Sequence, residues 1–300
     1  MSQFPISALR SVAFDTPDLA AATAFYTEAW GLTLWKQDEG AVWLRGTGDD
    51  SYLLALHAGE TAQIRDMTFR ASSQADLEML THRIGALGLD LVQPLGPIVD
   101  DPAKGLGFGF LDPRRRTIRV VYDDQRRTAD AAHPDQPDRL SHVNINSRDV
   151  DADVAFFEQA LGFRMTDRSK MMGFVRTNSD HHSIVIAEAP VDTLNHVAFN
   201  HGDWEDVMRA SGRLVDRGHP IAWGVGRHGP GDNVFSYFID PFGFVVEHTA
   251  EVLQVDDAYQ VGSPKDWIWP AGRTDQWGIA PPKSEACKAA QLAIPFAQPS

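Results

Sequence analysis

The sequence predicts an α+β fold in which four βαβββ modules pair into two barrel-like domains. The first observation is a long internal repeat. Residues 9–32 align without gaps to residues 140–163, and eight positions carry the same residue 131 positions later. The second is a shorter repeat within the C-terminal half, where LSHVNI (140–145) is echoed by LNHVAF (194–199). Repeats at a fixed period indicate structural units that stack or pair with one another.

Each module begins with a short strand of alternating apolar and polar residues, followed by a helical segment and three further strands. Acidic residues precede the two helical segments of the C-terminal half, and Gly162 and Gly218 follow them, as expected for helix caps. The predicted strands after these helices are FRMTDR, MGFVRT and HSIVIAE, then IAWGV, VFSYFID and FVVEHTA. One module of about 54 residues is too small to close a core, so we expect paired modules to form a curved sheet around a shared cavity.

The repeat divides the chain into domains at residues 1–127 and 139–253. The intervening segment, TADAAHPDQPD (128–138), is rich in Pro, Asp and Ala, as domain boundaries are. A tail over residues 254–300 follows the second domain and lies outside the repeat. We expect this tail to fold over the cavity as a lid or to form an interface strap, because it contains three tryptophans among prolines and glycines: Trp267, Trp269 and Trp277.

The composition limits the classes of partner. The net charge is −14, which argues against binding to nucleic acids or to anionic membranes, since both favour Lys and Arg. The single cysteine, Cys287, excludes an intrachain disulfide and CxxC-type metal sites. The N-terminal segment has no signal-peptide pattern, and no window approaches the roughly 18 apolar residues of a membrane helix. We therefore expect a cytoplasmic protein.

Comparison of the two halves identifies a candidate metal site in the C-terminal half. Three positions of that half carry metal-ligating side chains where the N-terminal half has Ser, Asp and Arg. The aligned pairs are His142 and Ser11, His196 and Asp66, and Glu247 and Arg119. An arginine in place of the glutamate would repel a cation. The pattern therefore predicts a metal site in the second domain and a first domain without metal.

Two histidines and one carboxylate with open positions form the usual ligand set of non-haem Fe(II) oxygenases, and Mn(II) or zinc can occupy similar ligands. His142 and His196 begin sister modules, so we expect them to face each other across the cavity. Glu247, on the last strand, then supplies the third ligand. The alternative is that both histidines are hydrogen-bonded structural residues and that Glu247 pairs with a buried arginine.

The C-terminal half resembles a known family through four motifs. These are LSHVN (140–144), HHSIVI (181–186), LNHVAF (194–199) and GRHGPGDNVFSYFIDPFGFVVE (226–247). The module plan resembles the vicinal oxygen chelate (glyoxalase/bleomycin resistance/dioxygenase) superfamily, and the motifs resemble its type I extradiol catechol dioxygenases. The resemblance implies Fe(II), less often Mn(II), held by His142, His196 and Glu247. It also implies a catechol and O2 as reactants, and a homo-oligomer.

The resemblance further implies roles for residues around the metal. His182 acts as the base that takes a catechol proton and later as an acid, since a histidine near neutral pKa can do both. His228 hydrogen-bonds the substrate or an oxygen atom, Tyr237 orients the substrate, and Asn144 bonds the substrate or a bridging water. Members acting on carboxylated catechols place an arginine shortly before the RHG motif. Because Trp223 stands in that region, we expect it to contact a neutral or apolar ring substituent.

Two other functions remain open at this point. One is a metal-dependent glyoxalase-type isomerase or lyase of the same superfamily. The other is a metal-free small-molecule binding protein of the same fold, a character that the N-terminal half has. The presence of two histidines and one glutamate, together with His182, His228 and Tyr237, favours oxygen chemistry.

Overall fold

The computed structural model describes residues 4–298 and contains two eight-stranded sheets. The strands of the first sheet are β1 (Ile6–Thr16), β2 (Thr33–Gln37), β3 (Ala41–Arg45), β4 (Leu54–Ala58), β5 (Gln63–Ala71), β6 (Leu91–Pro97), β7 (Leu106–Leu111) and β8 (Thr117–Tyr122). Those of the second sheet are β9 (Arg139–Ser147), β10 (Arg164–Arg168), β11 (Met172–Arg176), β12 (Ile184–Glu188), β13 (Leu194–Asn200), β14 (Trp223–Arg227), β15 (Val234–Ile239) and β16 (Val245–Ala250).

The strand order is the same in both sheets. The first sheet runs β2-β3-β4-β1-β5-β8-β7-β6, and the second runs β10-β11-β12-β9-β13-β16-β15-β14. In each sheet the opening strands of two modules pair antiparallel at the centre, and each opening strand also pairs parallel with the last strand of its own module. The predicted plan of four paired βαβββ modules is therefore confirmed. The exact domain boundaries stay a prediction.

One helix connects the first and second strands of each module. The helices are α1 (Leu19–Ala24), which continues as a π-helical turn over Phe25–Ala29, α2 (Gln74–Ala86), α3 (Val150–Leu161) and α4 (Trp204–Asp216). The side chain of Asp149 caps α3 by accepting a hydrogen bond from the Ala152 amide, and Asp203 caps α4 in the same way. Gly162 ends α3 with a φ of 73°, a left-handed conformation that favours glycine. The predicted caps of α3 and the predicted N-terminal cap of α4 are thus present, whereas the C-cap residue of α4 is Arg217 and Gly218 follows it with a φ of 85°.

The two halves share a hydrophobic core. The ring of Trp30, from the first half, stacks on His248 of β16 with 3.7 Å between ring centroids. Phe14 of β1 stacks on Phe244 with 4.0 Å between centroids. All four side chains are buried. The position of the second sheet is therefore determined partly by packing against the first.

The tail returns to both sheets after the last strand. A short helix, α5 (Glu285–Ala290), precedes two isolated bridges, in which Ile294 pairs with Leu194 and Phe296 pairs with Ile64. The side chains of Ile294 and Phe296 are buried in the shared core. The end of the tail is therefore an integral part of the fold.

Over residues 4–298, no helix combines the length and the hydrophobicity that a membrane crossing requires.

Candidate active site

The three predicted metal ligands converge in the second sheet. His142 lies on β9, His196 on the adjacent strand β13, and Glu247 on β16. The two Nε2 atoms are 3.1 Å apart, and Glu247 Oε2 lies 3.3 Å from that of His142 and 3.0 Å from that of His196. The three side chains are buried and offer ligand atoms that all lie within 4.8 Å of one another.

The expectation that the two histidines face each other across a cavity is wrong. The opening strands β9 and β13 pair directly and antiparallel, so that His196 is opposite Asn144 and His142 is opposite Ala198. The imidazoles therefore lie diagonally side by side on one face of one sheet. Glu247 joins them from the next strand because it pairs in register with Ala198.

The donor atoms fit a divalent cation. Glu247 Oε2 is buried and has no hydrogen-bond partner within residues 4–298. Burial alone would raise the pKa of Glu247, but electrostatic attraction from His142 and His196 keeps it well below its usual range. Burial lowers the pKa of His196 to about 4. A carboxylate beside a neutral imidazole is a suitable set of ligands for Fe(II), Mn(II) or Zn(II).

Polar residues immediately before each histidine orient the rings, and we did not predict them. Asn195 Oδ1 lies 2.8 Å from His196 Nδ1, so Nδ1 carries the proton and Nε2 keeps its lone pair. Ser141 Oγ is 3.3 Å from His142 Nδ1. The repeat contains this signal, because Ser141 and Asn195 occupy the same position in LSHVN and LNHVA.

His182 belongs to a buried chain of hydrogen bonds. His181 Nε2 donates to Asp167 Oδ2 at 2.8 Å, which leaves His181 Nδ1 as an acceptor. The Nδ1 atoms of His181 and His182 are 3.0 Å apart, so His182 must donate. Its Nε2 then carries a lone pair and has no hydrogen-bond partner within residues 4–298. Burial also lowers the pKa of His182 well below its usual value.

His181, the neighbour of His182 in the sequence, is fully buried. We did not predict a role for Asp167, because its position in the sequence is that of an ordinary polar residue in a strand. In the structure, Asp167 Oδ1 also accepts from the Gly262 amide at 2.6 Å, and Oδ2 accepts from the Tyr259 hydroxyl at 3.2 Å. The tail thus holds Asp167 in place, and Asp167 begins the series of hydrogen bonds that ends at His182.

His228 and Tyr237 lie on the other side of the three candidate metal ligands. The Tyr237 hydroxyl is 3.0 Å from His228 Nε2 and 3.5 Å from His196 Nε2. Burial raises the pKa of Tyr237 well above its usual value and lowers that of His228 to about 3. The pair is therefore a protonated phenol beside a neutral imidazole. Asn233, a further residue that we did not predict, donates to Thr249 Oγ1 at 2.8 Å and to Glu247 Oε1 at 3.4 Å.

A cavity of about 300 Å³ opens over this group. It is lined by seven of the eight predicted site residues, namely His142, Asn144, His182, His196, Trp223, His228 and Tyr237. Asn144 Oδ1 is buried there without a hydrogen-bond partner in the described part of the chain. Trp267 and Trp269 of the tail line the same cavity, and Trp277 lies beside Arg227.

The corresponding positions of the first sheet are joined by polar contacts of a different kind. Arg119 donates to Asp100 at 2.9 Å and to Gln93 at 2.5 Å. Asp66 accepts a hydrogen bond from Thr68 at 3.0 Å. A guanidinium group thus stands where the second sheet has Glu247.

Known proteins are similar to this chain over most of its length. A family model described as the Glyoxalase/Bleomycin resistance protein/Dioxygenase superfamily matches residues 139–248. The crystal structure of the Mn(II)-bound glyoxalase from Novosphingobium aromaticivorans is 32% identical, with a TM-score of 0.89 over 99% of this chain and 97% of that chain. Metapyrocatechase 2 from Cupriavidus necator is 27% identical over 87% of this chain and 83% of its own.

A further solved structure, homoprotocatechuate 2,3-dioxygenase from Arthrobacter globiformis, is 20% identical and has a TM-score of 0.85 over 100% of this chain and 94% of that chain. At this identity the likeness concerns the fold. This likeness in fold agrees with the paired modules described above, as does the 32% identity to the glyoxalase over nearly the whole chain. The chain belongs to the Glyoxalase/Bleomycin resistance protein/Dioxygenase superfamily.

Proposed function

We propose that this protein is an extradiol dioxygenase that opens the ring of a catechol with O2, using Fe(II) held by His142, His196 and Glu247. The observation that carries this proposal is the position of His182. His182 lines the same cavity as the ligands His142 and His196, its Nδ1 is committed to His181, and the tautomer inferred above leaves its Nε2 unprotonated. A base beside a metal site is what removal of a catechol proton requires. The names of curated relatives, such as metapyrocatechase, support the same reaction class.

Four residues of the cavity have a proposed role in this reaction. When bound, Fe(II) supplies a Lewis acid that lowers the pKa of a catechol hydroxyl and an electron source for O2. His182 Nε2 accepts the remaining hydroxyl proton and returns it later as the ring opens. The Tyr237 hydroxyl, with His228 behind it, donates a hydrogen bond to an oxygen of the substrate. Asn144 offers its unpartnered Oδ1 to a hydroxyl or a water.

The size and lining of the cavity suit a small aromatic substrate. A volume of about 300 Å³ is at the lower end of small-molecule sites, which span roughly 300–1,000 Å³. Phe174, Trp267 and Trp269 supply apolar surface for a single ring. Tail residues at the cavity also exclude water from the reacting groups. We therefore propose that the tail acts as a lid. A homo-oligomeric state and a cytoplasmic location stay predictions.

The experiment is anaerobic loading with Fe(II), followed by a panel of catechols and then air. We expect consumption of one O2 per catechol and the yellow absorbance of a ring-fission product. His182→Asn should keep its bound iron and lose turnover by roughly 10²- to 10⁴-fold, the usual contribution of a general base. A protein with bound iron that consumes no O2 with any catechol contradicts the proposal.

The second candidate is a metal-dependent isomerase or lyase. It is favoured by the 32% identity to a Mn(II)-bound glyoxalase. The test is the same protein loaded with Mn(II) and given the hemithioacetal of methylglyoxal and glutathione. Conversion of this compound without O2 uptake, together with failure to open any catechol, would favour the isomerase.

A further inference from the structure

We propose that Lys283 forms an anion-binding subsite of the active-site cavity, and that the substrate is a catechol whose ring carries a carboxylate. This inference rests on the proposed function and names its substrate class. Lys283 belongs to the tail, two residues before α5, and lies outside every motif that predicted the active site.

The tail brings the Lys283 ammonium into the wall of the cavity. Nζ lies 4.3 Å from the centroid of the Trp223 ring and 5.7 Å from that of Tyr237. It donates one hydrogen bond, to Gln291 Oε1 at 3.0 Å. Gln291 in turn donates to Asn195, the residue that orients the ligand His196. The ammonium is therefore held in place beside the metal ligands by a hydrogen-bonded network.

This ammonium has no ion-pair partner within residues 4–298. No carboxylate lies within 4.0 Å of Nζ there, and the groups that attract it are the Cys287 thiol and, from farther away, Glu247. An ammonium has three donors, and a single one is used by Gln291. The Lys283 side chain is half-buried, and this burial lowers its pKa. A partly buried cation with two donors that no side chain uses is stabilised by an anion that supplies two acceptors, as a carboxylate does.

The charge of the cavity lining points in the same direction. Among the described residues, Lys170 and Lys283 line it, and no aspartate or glutamate does. The whole chain carries a net charge of −14, so a lining with two cations and no acid departs from the average of the molecule. Such a lining raises the local concentration of anionic substrates and disfavours cationic ones.

This proposal replaces our expectation of a neutral ring substituent. That expectation considered the segment before His228, where Trp223 stands in the region in which relatives place an arginine. The structure adds a cation from another part of the chain, on the face of that same indole ring. Trp223 thus positions the ammonium through a cation–π contact.

The experiment measures anaerobic binding to the Fe(II)-loaded protein by calorimetry. The probes are 3,4-dihydroxyphenylacetate and 2,3-dihydroxyphenylacetate, each compared with its own methyl ester. We expect the wild type to bind at least one acid more tightly than its ester. Lys283→Met should reduce this preference by roughly 10- to 100-fold, the range for a hydrogen bond to a charged group. Lys288→Met is the matched control, because Lys288 is an exposed lysine of α5 that pairs with Glu285.

Three outcomes would overturn the inference. The wild type shows no preference for either acid, or Lys283→Met keeps the preference, or that variant loses acid and ester binding equally. Lys283→Gln serves as a second variant, and bound iron and thermal unfolding verify that both variants fold. Binding is measured without O2, so the subsite is tested independently of turnover. A carboxylate preference that depends on Lys283, in a protein that never opens a catechol, would refute the proposed function and leave the subsite intact.

Discussion

The Nδ1 atoms of His181 and His182 lie 3.0 Å apart, and one proton joins them. Asp167 determines which of the two nitrogens holds that proton, because its Oδ2 accepts from His181 Nε2 at 2.8 Å. A carboxylate can only accept, so it selects the tautomer that leaves His182 Nε2 free. A buried acid behind a histidine dyad thus prepares the base of the proposed reaction.

Asp167→Asn should reverse this proton arrangement. The Gly262 amide donates to Oδ1 of residue 167, so the new amide group would turn its NH2 toward His181. His181 Nδ1 would then carry the proton and donate to His182, which places a hydrogen on His182 Nε2. We expect kcat for catechol opening to fall by roughly 10²-fold or more, with iron binding retained. Steady-state kinetics of the iron-loaded variant measure this fall in kcat.

Tyr259→Phe is the control for the Asp167 substitution. It removes the other hydrogen bond to Asp167 Oδ2, at 3.2 Å, and leaves the acceptor for His181 in place. Its kcat should stay within a few-fold of the wild type. Equal kcat values for Asp167→Asn and Tyr259→Phe would contradict the assigned tautomers.

Removal of either histidine ligand should abolish tight metal binding. His142→Ala and His196→Ala each leave two protein ligands, too few for a stable site. We expect Fe(II) to raise the melting temperature of the wild type, because a ligand of the native state stabilises that state by mass action. The melting temperatures of the two variants should not change when Fe(II) is added. His133→Ala is the control, because the His133 side chain is 58% exposed and pairs with Asp135. Iron content after desalting provides a second measurement, and one iron per chain in either ligand variant would contradict the site.

The sequence was sufficient to predict the modules, and to point to the cluster of His142, His196 and Glu247, for one physical reason. Paired modules repeat the same strand positions, so His142 and His196 could be compared with each other and with the residues of the other half. The comparison identified equivalent positions but not how the two opening strands meet. That depends on hydrogen bonding between β9 and β13, for which periodicity carries no information.

Lys283 and Asp167 could not be predicted because their roles depend on the path of the tail. Lys283 follows Glu247 by 36 residues, in a segment without helical or strand periodicity. Asp167 gains its partners from Gly262 and Tyr259, which lie almost a hundred residues further along the chain. Irregular segments of this kind are positioned by contacts with the finished fold, so local patterns do not reveal what they will touch.

Asp240 should make the stability of the protein depend on pH. Burial raises the pKa of Asp240 to about 6, although it accepts hydrogen bonds from the Phe242 and Phe244 amides and the Tyr26 hydroxyl. The folded state therefore holds this proton at pH values where the unfolded state, with a pKa near 3.8, has lost it. The contribution of Asp240 to stability thus falls as the pH rises from about 4 to 6, by roughly 2–3 kcal/mol.

The substitution Asp240→Asn tests the direction of this pH dependence of stability. The free energy of unfolding of the variant, minus that of the wild type, should increase by roughly 2–3 kcal/mol between pH 4 and pH 7. Urea denaturation at a series of pH values measures the difference, in which the titration of other groups cancels. Asp216→Asn, at an exposed residue that ends α4, is the control. A difference that stays constant, or that decreases with pH, would contradict the prediction.

Arg116 joins the two halves through a buried ion network, and its loss should be costly. The side chain is fully buried, and it donates to Asp112 at 2.5 Å and to Asp153 of α3 at 2.8 Å. Arg116→Met would leave two buried carboxylates short of their partner, which costs roughly 3–5 kcal/mol. Urea denaturation at pH 7 measures this loss. Arg115→Met is the control, since the Arg115 side chain is 58% exposed and its ion pair with Asp90 is worth about 0–1 kcal/mol. Equal stabilities of the two variants would show that the network contributes little to holding the halves together.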